Sequence, residues 1–199
     1  SFTVTGVDDN LVDGTITSTL TVAVVDALSE DSFDAVADQT VSTTTTDNDT
    51  AGFTIVESGG STAVAETGTT DTFTIVLNAQ PTTDVVMSIA SSDAGESTTT
   101  NTLTFTNANW NSAQTVTVTG VDDNIIDGTI TSTITISIID ANSDNTFDAV
   151  ADQTVSATTT DNDVAGFTIA QTDGSTTVAE TGTTDTFTIV LNAQPASDV

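Results

Sequence analysis

The sequence predicts an all-β protein, an antiparallel sandwich in tandem repeats of 114 residues. Apolar residues alternate with Thr and Ser along most of the chain. Gly, Asp and Pro interrupt this alternation at short intervals, and one long segment recurs with few changes. Short alternating runs separated by turn signals are typical of antiparallel sandwiches. No stretch has the 3.6-residue period of an amphipathic helix.

The repeat has the length of a whole domain. Residues 1–85 align with 115–199 without a gap and share 63 identical residues. A domain typically has about 100–150 residues, whereas solenoid units are much shorter. The pattern predicts the C-terminal part of one repeat at 1–49, a complete repeat at 50–163 and the N-terminal part of the next at 164–199. We expect the natural protein to contain further repeats.

Period-two alternation predicts seven or eight strands in the complete repeat. Apolar Phe73, Ile75 and Leu77 are expected to face the core, with Thr72 and Thr74 on the wetter face. Turn residues such as Gly and Pro separate the strands. The predicted strands lie near 52–56, 61–66, 71–78, 84–90, 98–106, 114–121, 129–140 and 153–160.

The charge of the chain excludes several classes of function. There are 29 acidic residues and no Lys, Arg or His, so the net charge is -29. Contacts with phosphate need Lys or Arg, and therefore we expect no nucleic-acid binding. No apolar run approaches the roughly 20 residues that span a bilayer, so no membrane insertion is expected in this segment. Two carboxylates about 4 Å apart repel by roughly 4 kcal/mol at an effective dielectric near 20, which favours a bound cation wherever they cluster.

The composition also argues against an enzyme. The chain has no His, Cys, Lys, Arg or Tyr, so the usual nucleophile–base pairs and the cations that stabilise an oxyanion are absent. The single Trp, Trp110, is predicted to cap the core of the sandwich rather than to stack on a sugar.

Acidic residues of the complete repeat concentrate at the ends of predicted strands. Alternate loops of a sandwich lie at the same end, so the loops that carry these residues could converge at one pole. Calcium takes six to eight oxygen ligands, whereas zinc and copper prefer His or Cys. The alternative, that Asp simply forms solvated turns, stays open. The candidate metal ligands are Glu66, Asp93, Glu96, Asp122, Asp123, Asp127, Asp161 and Asp163.

Comparison of the repeats with each other extends this set. The acids that match these ligands one period away are Asp8, Asp9, Asp13, Asp47, Asp49 and Glu180. At other acidic positions the residue differs between the repeats, since Glu57 matches Gln171, Glu30 matches Asp144 and Asp31 matches Asn145. We interpret these variable positions as replaceable surface.

The complete repeat resembles the Calx-beta domain. The resemblance lies in GFTIVESGGSTAVAETGTTDTFTIVLNAQP, in TLTFTNANWNSAQTVTVTGVDDNIIDG and in the closing TTTDND. It implies an immunoglobulin-like sandwich that binds calcium at one end through Glu66, Asp93, the pair Asp122 and Asp123, and Asp161 with Asp163. Such domains occur in tandem in large bacterial surface proteins, and the same fold forms the calcium-sensing region of sodium–calcium exchangers. The exchanger domains carry further acids after the Asp-Asp pair, where this sequence has only Asp127.

These observations predict a calcium-binding structural repeat that forms a rigid stalk or filament in an extracellular, adhesin-like protein of the cell surface. Its expected partners are adjacent repeats of the same chain or identical subunits in a filament. Two alternatives stay open. The repeat could be an adhesion module for a glycan or for a protein of a host or neighbouring cell, or an acidic stalk without a specific metal.

Overall fold

The computed structural model of the chain describes residues 1–195 and 197–199. In this part of the chain the regular structure consists of β-strands and single-turn 3₁₀ helices, as the alternating pattern predicts. None of these helices is long and apolar enough to cross a membrane. The 3₁₀ helices lie at Asp26–Leu28, Asp31–Phe33, Ser58–Gly60, Asp140–Asn142, Asn145–Phe147 and Thr172–Gly174.

The strands are short and follow one another closely. In chain order they are β1 (Ile16–Val22), β2 (Gln39–Thr45), β3 (Phe53–Glu57), β4 (Thr62–Ala65), β5 (Thr70–Leu77), β6 (Val85–Ser91), β7 (Ser97–Thr99), β8 (Thr102–Phe105), β9 (Gln114–Gly120), β10 (Ile130–Ile138), β11 (Gln153–Thr160), β12 (Phe167–Gln171) and β13 (Phe187–Leu191).

Strands β3 to β11 form two sheets around a common core. One sheet has the order β4-β11-β10-β6-β8 and the other has the order β3-β5-β9-β7. The neighbours pair antiparallel except β4 and β11, which run parallel with Thr62 opposite Ala157. Because β4 is the edge strand of the larger sheet and runs parallel to β11, the C-terminal ends of these two strands lie side by side. The predicted antiparallel β-sandwich is confirmed.

The core is built from the alternating residues of both sheets. In β5, Phe73, Ile75 and Leu77 are buried, whereas Thr74 and Val76 between them are only half-buried. Ile134 and Ile136 of β10 face them from the other sheet. Trp110 is half-buried against this cluster, as predicted, and its carbonyl oxygen accepts a hydrogen bond from the Leu77 N–H (3.1 Å).

One predicted strand, 98–106, is wrong as a single element. The chain changes sheets at 100–101, so that β7 pairs with β9 while β8 pairs with β6. The Thr100 N–H donates to Thr117 in one sheet, and the Asn101 carbonyl oxygen accepts from Ile89 in the other. Both halves keep the alternating pattern, and therefore the sequence does not reveal the break.

The two outer segments repeat parts of this sandwich. Strands β1 and β2 pair with Ile16 opposite Thr45, and β10 and β11 pair with Ile130 opposite Thr159. In the same way the register of β12 with β13 reproduces that of β3 with β5, 114 residues later. Each outer sheet has two strands, and for this reason residues such as Ile169 are exposed, unlike their counterparts in the complete repeat.

Candidate metal centre

Glu66 is a buried carboxylate at one end of the sandwich. It follows β4, and its N–H donates to the carbonyl oxygen of Thr160 (3.1 Å) at the end of β11. Its Oε2 accepts the N–H of Asn162 (3.0 Å), so the side chain is held against the segment that leaves the repeat. Only 1% of the residue is exposed. The parallel pairing of β4 with β11 therefore puts an early acidic residue beside the last ones.

Glu96 reaches the same end from the loop before β7. Its carbonyl oxygen accepts the Val121 N–H (2.9 Å) and the Thr159 hydroxyl (3.2 Å). These bonds tie the loop to the ends of β9 and β11. The Glu96 side chain is buried, with 6% of the residue exposed.

Asp161 organises the exit of the repeat. Its Oδ1 accepts the Asp163 N–H (2.6 Å), and its Oδ2 accepts the N–H groups of Gly128 (2.9 Å) and Asp127 (3.1 Å). The N–H of Asp163 contributes most to lowering the pKa of Asp161, followed by the N–H of Gly128. Asp161 is thus held as a carboxylate that joins the loop after β9 to the exit segment.

The first segment contains the same arrangement 114 residues earlier. Asp47 accepts the N–H of Gly14 through Oδ2 (2.8 Å) and that of Asp49 through Oδ1 (2.8 Å). The N–H of Asp49 contributes most to lowering the pKa of Asp47. The exit turn therefore forms in both repeats from the Asp-Asn-Asp sequence itself.

The structure brings five carboxylates together in two groups that share Glu66. One group is Glu66, Glu96 and Asp127, and the other is Glu66, Asp161 and Asp163. In each group one oxygen per residue lies within 4.8 Å of the others. No basic side chain exists in the sequence to neutralise either group.

Three buried oxygens of these groups have no hydrogen-bond partner among the residues that the structure describes. They are Glu66 Oε1, Glu96 Oε2 and Asp163 Oδ2. An unpaired buried carboxylate oxygen loses its hydration without compensation, which is costly for an ionised group. These oxygens are therefore available to coordinate a cation.

The pKa values of Glu66, Glu96 and Asp163 are all raised, because burial and neighbouring carboxylates disfavour the ionised form. The hydrogen bond from the Asn162 N–H lowers the pKa of Glu66. Burial and the charges of Asp161, Asp123 and Asp127 together raise this pKa by more, so its net shift is upward. Burial is the main reason why the pKa values of Glu96 and Asp163 are raised, and neighbouring carboxylates add to it.

Three predicted ligands lie near these groups but outside them. Asp93 Oδ1 accepts the Gly95 N–H (3.0 Å), Asp122 Oδ1 accepts the Asn162 side-chain amide (2.8 Å), and Asp123 Oδ1 accepts the Ile125 N–H (2.6 Å). Each of these residues therefore shapes a loop through one oxygen and leaves the other available.

The predicted ligands of the outer segments are more dispersed. Among the described residues, no group of three close carboxylates includes Asp8, Asp9, Asp13, Asp47, Asp49 or Glu180. Glu180 is exposed, and the strand segments that bury Glu66 have no counterparts beside it.

Asp144 contradicts the interpretation of variable positions as replaceable surface. It is 4% exposed and accepts five hydrogen bonds, from the N–H and hydroxyl groups of Thr82 and Thr146 and from the Thr83 N–H. Burial would raise its pKa, but these bonds outweigh burial and lower the pKa far below its usual range. The Asp-x-Thr sequence at 144–146 is a local capping signal that could have revealed this role.

The comparisons with known proteins assign no family. No protein-family model matches the chain, and no curated protein matches it. Among solved structures, the apo form of the Calx CBD1 domain has 12% identity and a TM-score of 0.40, with 56% of this chain and 98% of that domain covered. Domains 4 and 5 of the S-layer protein SbsC have 21% identity and a TM-score of 0.38, with coverage of 63% and 54%. The chaperone DraB of E. coli has 6% identity and a TM-score of 0.40, and the chain spans 59% of its length. Membership of the Calx-beta family stays a prediction from the sequence.

Proposed function

We propose that the chain is a calcium-binding structural module of an extracellular, cell-surface protein. The observation that carries this proposal is the set of three buried, unpartnered oxygens on Glu66, Glu96 and Asp163 within two groups of close carboxylates. A cation is the one kind of ligand that satisfies such oxygens and relieves their mutual repulsion at the same time.

The donor atoms fit calcium. They are carboxylate oxygens, and calcium binds such oxygens at about 2.3–2.6 Å. Two oxygens on opposite sides of a calcium ion therefore lie about 4.6–5.2 Å apart, which suits groups whose oxygens lie within 4.8 Å of one another. Magnesium requires shorter, nearly ideal octahedral geometry and usually keeps several waters, so it suits this all-protein set less well.

Glu66 would bridge two ions. It belongs to both groups, so one ion would be held with Glu96 and Asp127 and the other with Asp161 and Asp163. Asp93, Asp122 and Asp123 would complete the ligand shells through their free oxygens or through water. The bound cation supplies positive charge and coordinates oxygens; no catalytic role is proposed for it.

The role we propose is mechanical. Asp161 and Asp163 belong to the segment that leaves the complete repeat, and β12 begins at Phe167, a few residues later. Cations held between this segment, Glu66 and Glu96 would hold the exit of each repeat against its body. Extracellular calcium modules commonly have dissociation constants of about 10⁻⁴–10⁻³ M, which matches a stalk that works outside the cell.

A thermal-unfolding experiment tests the proposal. The melting temperature is measured in EDTA, in calcium and in magnesium at one ionic strength, and calorimetry gives the number of calcium ions bound. We expect calcium to raise the melting temperature well above both other conditions. The matched control for a substitution of Glu66 is Glu180→Gln, which alters the exposed counterpart of Glu66 and leaves the complete repeat unchanged.

The competing proposal is an acidic stalk without a specific metal. It is favoured by the many exposed carboxylates that have no basic partner anywhere in the chain. Equal stabilisation by calcium, magnesium and sodium chloride at matched ionic strength would support it and would contradict a specific calcium site. An adhesion module for a glycan or protein is supported by no comparable feature of the described residues.

A further inference from the structure

In the first segment, the counterpart of the loop after β9 contacts the complete repeat that follows. There the Gln80 N–H donates to the Asn10 carbonyl oxygen (2.7 Å), and Leu11 and Gln80 form a parallel β-bridge. We call residues 10–12 and their counterparts 124–126 the loop tip. The contact joins two repeats at a point far along the sequence from the Asp-Asn-Asp exit segment.

The same contact recurs at the second junction. The Gln194 N–H donates to the Asn124 carbonyl oxygen (2.6 Å), and Ile125 and Gln194 form a parallel bridge. Gln194 is the counterpart of Gln80, and Asn124 is the counterpart of Asn10. Both junctions therefore have the same pair of backbone atoms in contact.

The loop tip has apolar residues that metal binding does not explain. Leu11 and Val12 lie between Asp9 and Asp13, and Ile125 and Ile126 occupy the matching positions in the complete repeat. Leu11 and Val12 are half-buried although most of their segment is exposed, whereas Ile125 and Ile126 are 38% and 45% exposed. Apolar residues at the tip of an acidic loop stabilise a contact when another surface covers the tip and removes them from water.

A carboxylate sets the shape of the loop tip. Asp9 Oδ1 accepts the Leu11 N–H (2.9 Å), as Asp123 Oδ1 accepts the Ile125 N–H (2.6 Å). Such a turn, in which Asp bonds the backbone two residues later, directs the following residues outward before the chain returns. The Asp-Asp pair therefore also serves the contact between repeats.

The receiving surface is rigid. We call residues 79–81, at the turn between β5 and β6, the docking turn. Ala79 is fully buried, Pro81 is buried, and the Gln80 side-chain amide donates to the Asn107 carbonyl oxygen (2.8 Å). Because Pro81 also restricts the backbone of Gln80 to extended conformations, the Gln80 N–H is held ready to donate.

We propose that the docking turn of each repeat is a binding surface whose partner is the loop tip of the preceding repeat. Consecutive repeats are thus joined at two separate points, the covalent exit segment and the β-bridge. Two points of attachment fix the orientation of one repeat relative to the next, which one short linker alone leaves free. Every junction then has the same geometry, and the array is a regular rod. This inference rests on the proposed stalk role but does not require a bound cation.

Spin-label distances test the proposal. The chain has no Cys, so Thr19→Cys and Thr104→Cys introduce the only labelling sites, both at exposed strand positions in two different repeats. In the full chain we expect a narrow distribution of distances between the labels. Gln80→Pro removes the donating N–H while suiting the extended backbone, and we expect it to broaden the distribution.

Gln80→Ala is the matched control, because it loses the same bond to Asn107 but keeps the N–H. We expect it to retain the narrow distribution. If Gln80→Pro lowers the melting temperature of the complete repeat, Leu11→Ser provides a second test from the other side of the contact, and it should also broaden the distribution.

A broad distribution in the parent protein, or no change in Gln80→Pro and Leu11→Ser, would overturn the docking surface. Calcium calorimetry on the same proteins separates this result from the proposed function. Loss of docking with intact calcium binding contradicts only the docking surface, whereas a narrow distribution without calcium binding contradicts only the metal centre.

Discussion

Gly120 lies directly against the backbone of Ala65. A Cβ on Gly120 would lie 2.1 Å from the Ala65 carbonyl oxygen and 2.7 Å from its carbonyl carbon. The contact brings the end of β9 next to Glu66 and leaves no room for any side chain. Real Cβ atoms do not approach backbone this closely, so a substitution must move β4 or β9.

Gly120→Ala should therefore destabilise the complete repeat and weaken its calcium binding. We expect the free energy of unfolding to fall by about 1–3 kcal/mol or more, as in other overpacked sites. Gly6→Ala is the matched control, because the counterpart position meets only a Thr45 methyl group at 3.7 Å. Chemical denaturation measures both effects. Equal losses in the two variants would contradict the role assigned to the close contact.

Glu66→Gln should have opposite effects with and without calcium. In EDTA the variant should be more stable than the parent, because it removes a buried charge close to four other carboxylates while the Asn162 N–H keeps an oxygen acceptor. In calcium the order should reverse, with a loss of affinity of at least about 10–100-fold. Thermal unfolding in both conditions measures the crossover, with Glu180→Gln as control. A variant less stable in EDTA would contradict the repulsion on which the proposed centre depends.

Asp144→Ala should destabilise the repeat independently of calcium. The substitution leaves the N–H groups of Thr82, Thr83 and Thr146 without their shared acceptor in a buried site. We expect a loss of about 2–4 kcal/mol, typical of breaking a buried charged network. Glu30→Ala at the exposed counterpart should change stability little. Denaturation in EDTA and in calcium should give the same difference for Asp144→Ala.

Asp144 also predicts part of the acid response. Its pKa is lower in the folded state than in the unfolded chain, so its contribution to stability is complete above about pH 3.9 and is lost as the pH falls further. Asp144→Asn should therefore remove part of the stability loss below this pH. If the stability of Asp144→Asn falls below this pH as steeply as that of the parent protein, groups other than Asp144 dominate the acid response.

Above about pH 4.3 the stability of the metal-free protein should change with pH in the opposite direction. The pKa values of Glu66, Glu96 and Asp163 are raised in the folded state, so the folded protein binds more protons than the unfolded chain. Stability in EDTA should therefore rise as the pH falls through these raised pKa values toward about 4.3, the ordinary value for Glu. Saturating calcium should abolish or reverse this slope, because the cation binds the deprotonated groups. A flat profile in EDTA would contradict the raised pKa values.

The strand pattern of this protein could be read from its sequence because burial in a sandwich follows a period of two. Phe73, Ile75 and Leu77 are buried, whereas Thr74 and Val76 between them are only half-buried, as the alternation predicts. The 114-residue period also follows directly from the sequence, and so does the exclusion of basic partners for the acids. These properties depend on residue type and spacing alone.

The change of sheet at 100–101, the burial of Asp144 and the composition of the two carboxylate groups were decided by the tertiary structure. Period-two alternation is the same whichever sheet a strand joins, so the split of 98–106 has no local signal. The sequence placed Glu66 and Asp161 at strand ends, but only the parallel pairing of β4 with β11 brings these residues together although they are 95 positions apart. Long-range packing also brings the N–H groups of Asp127 and Gly128 to Asp161 Oδ2, whereas the backbone bonds of Asp93 and Asp123 are local.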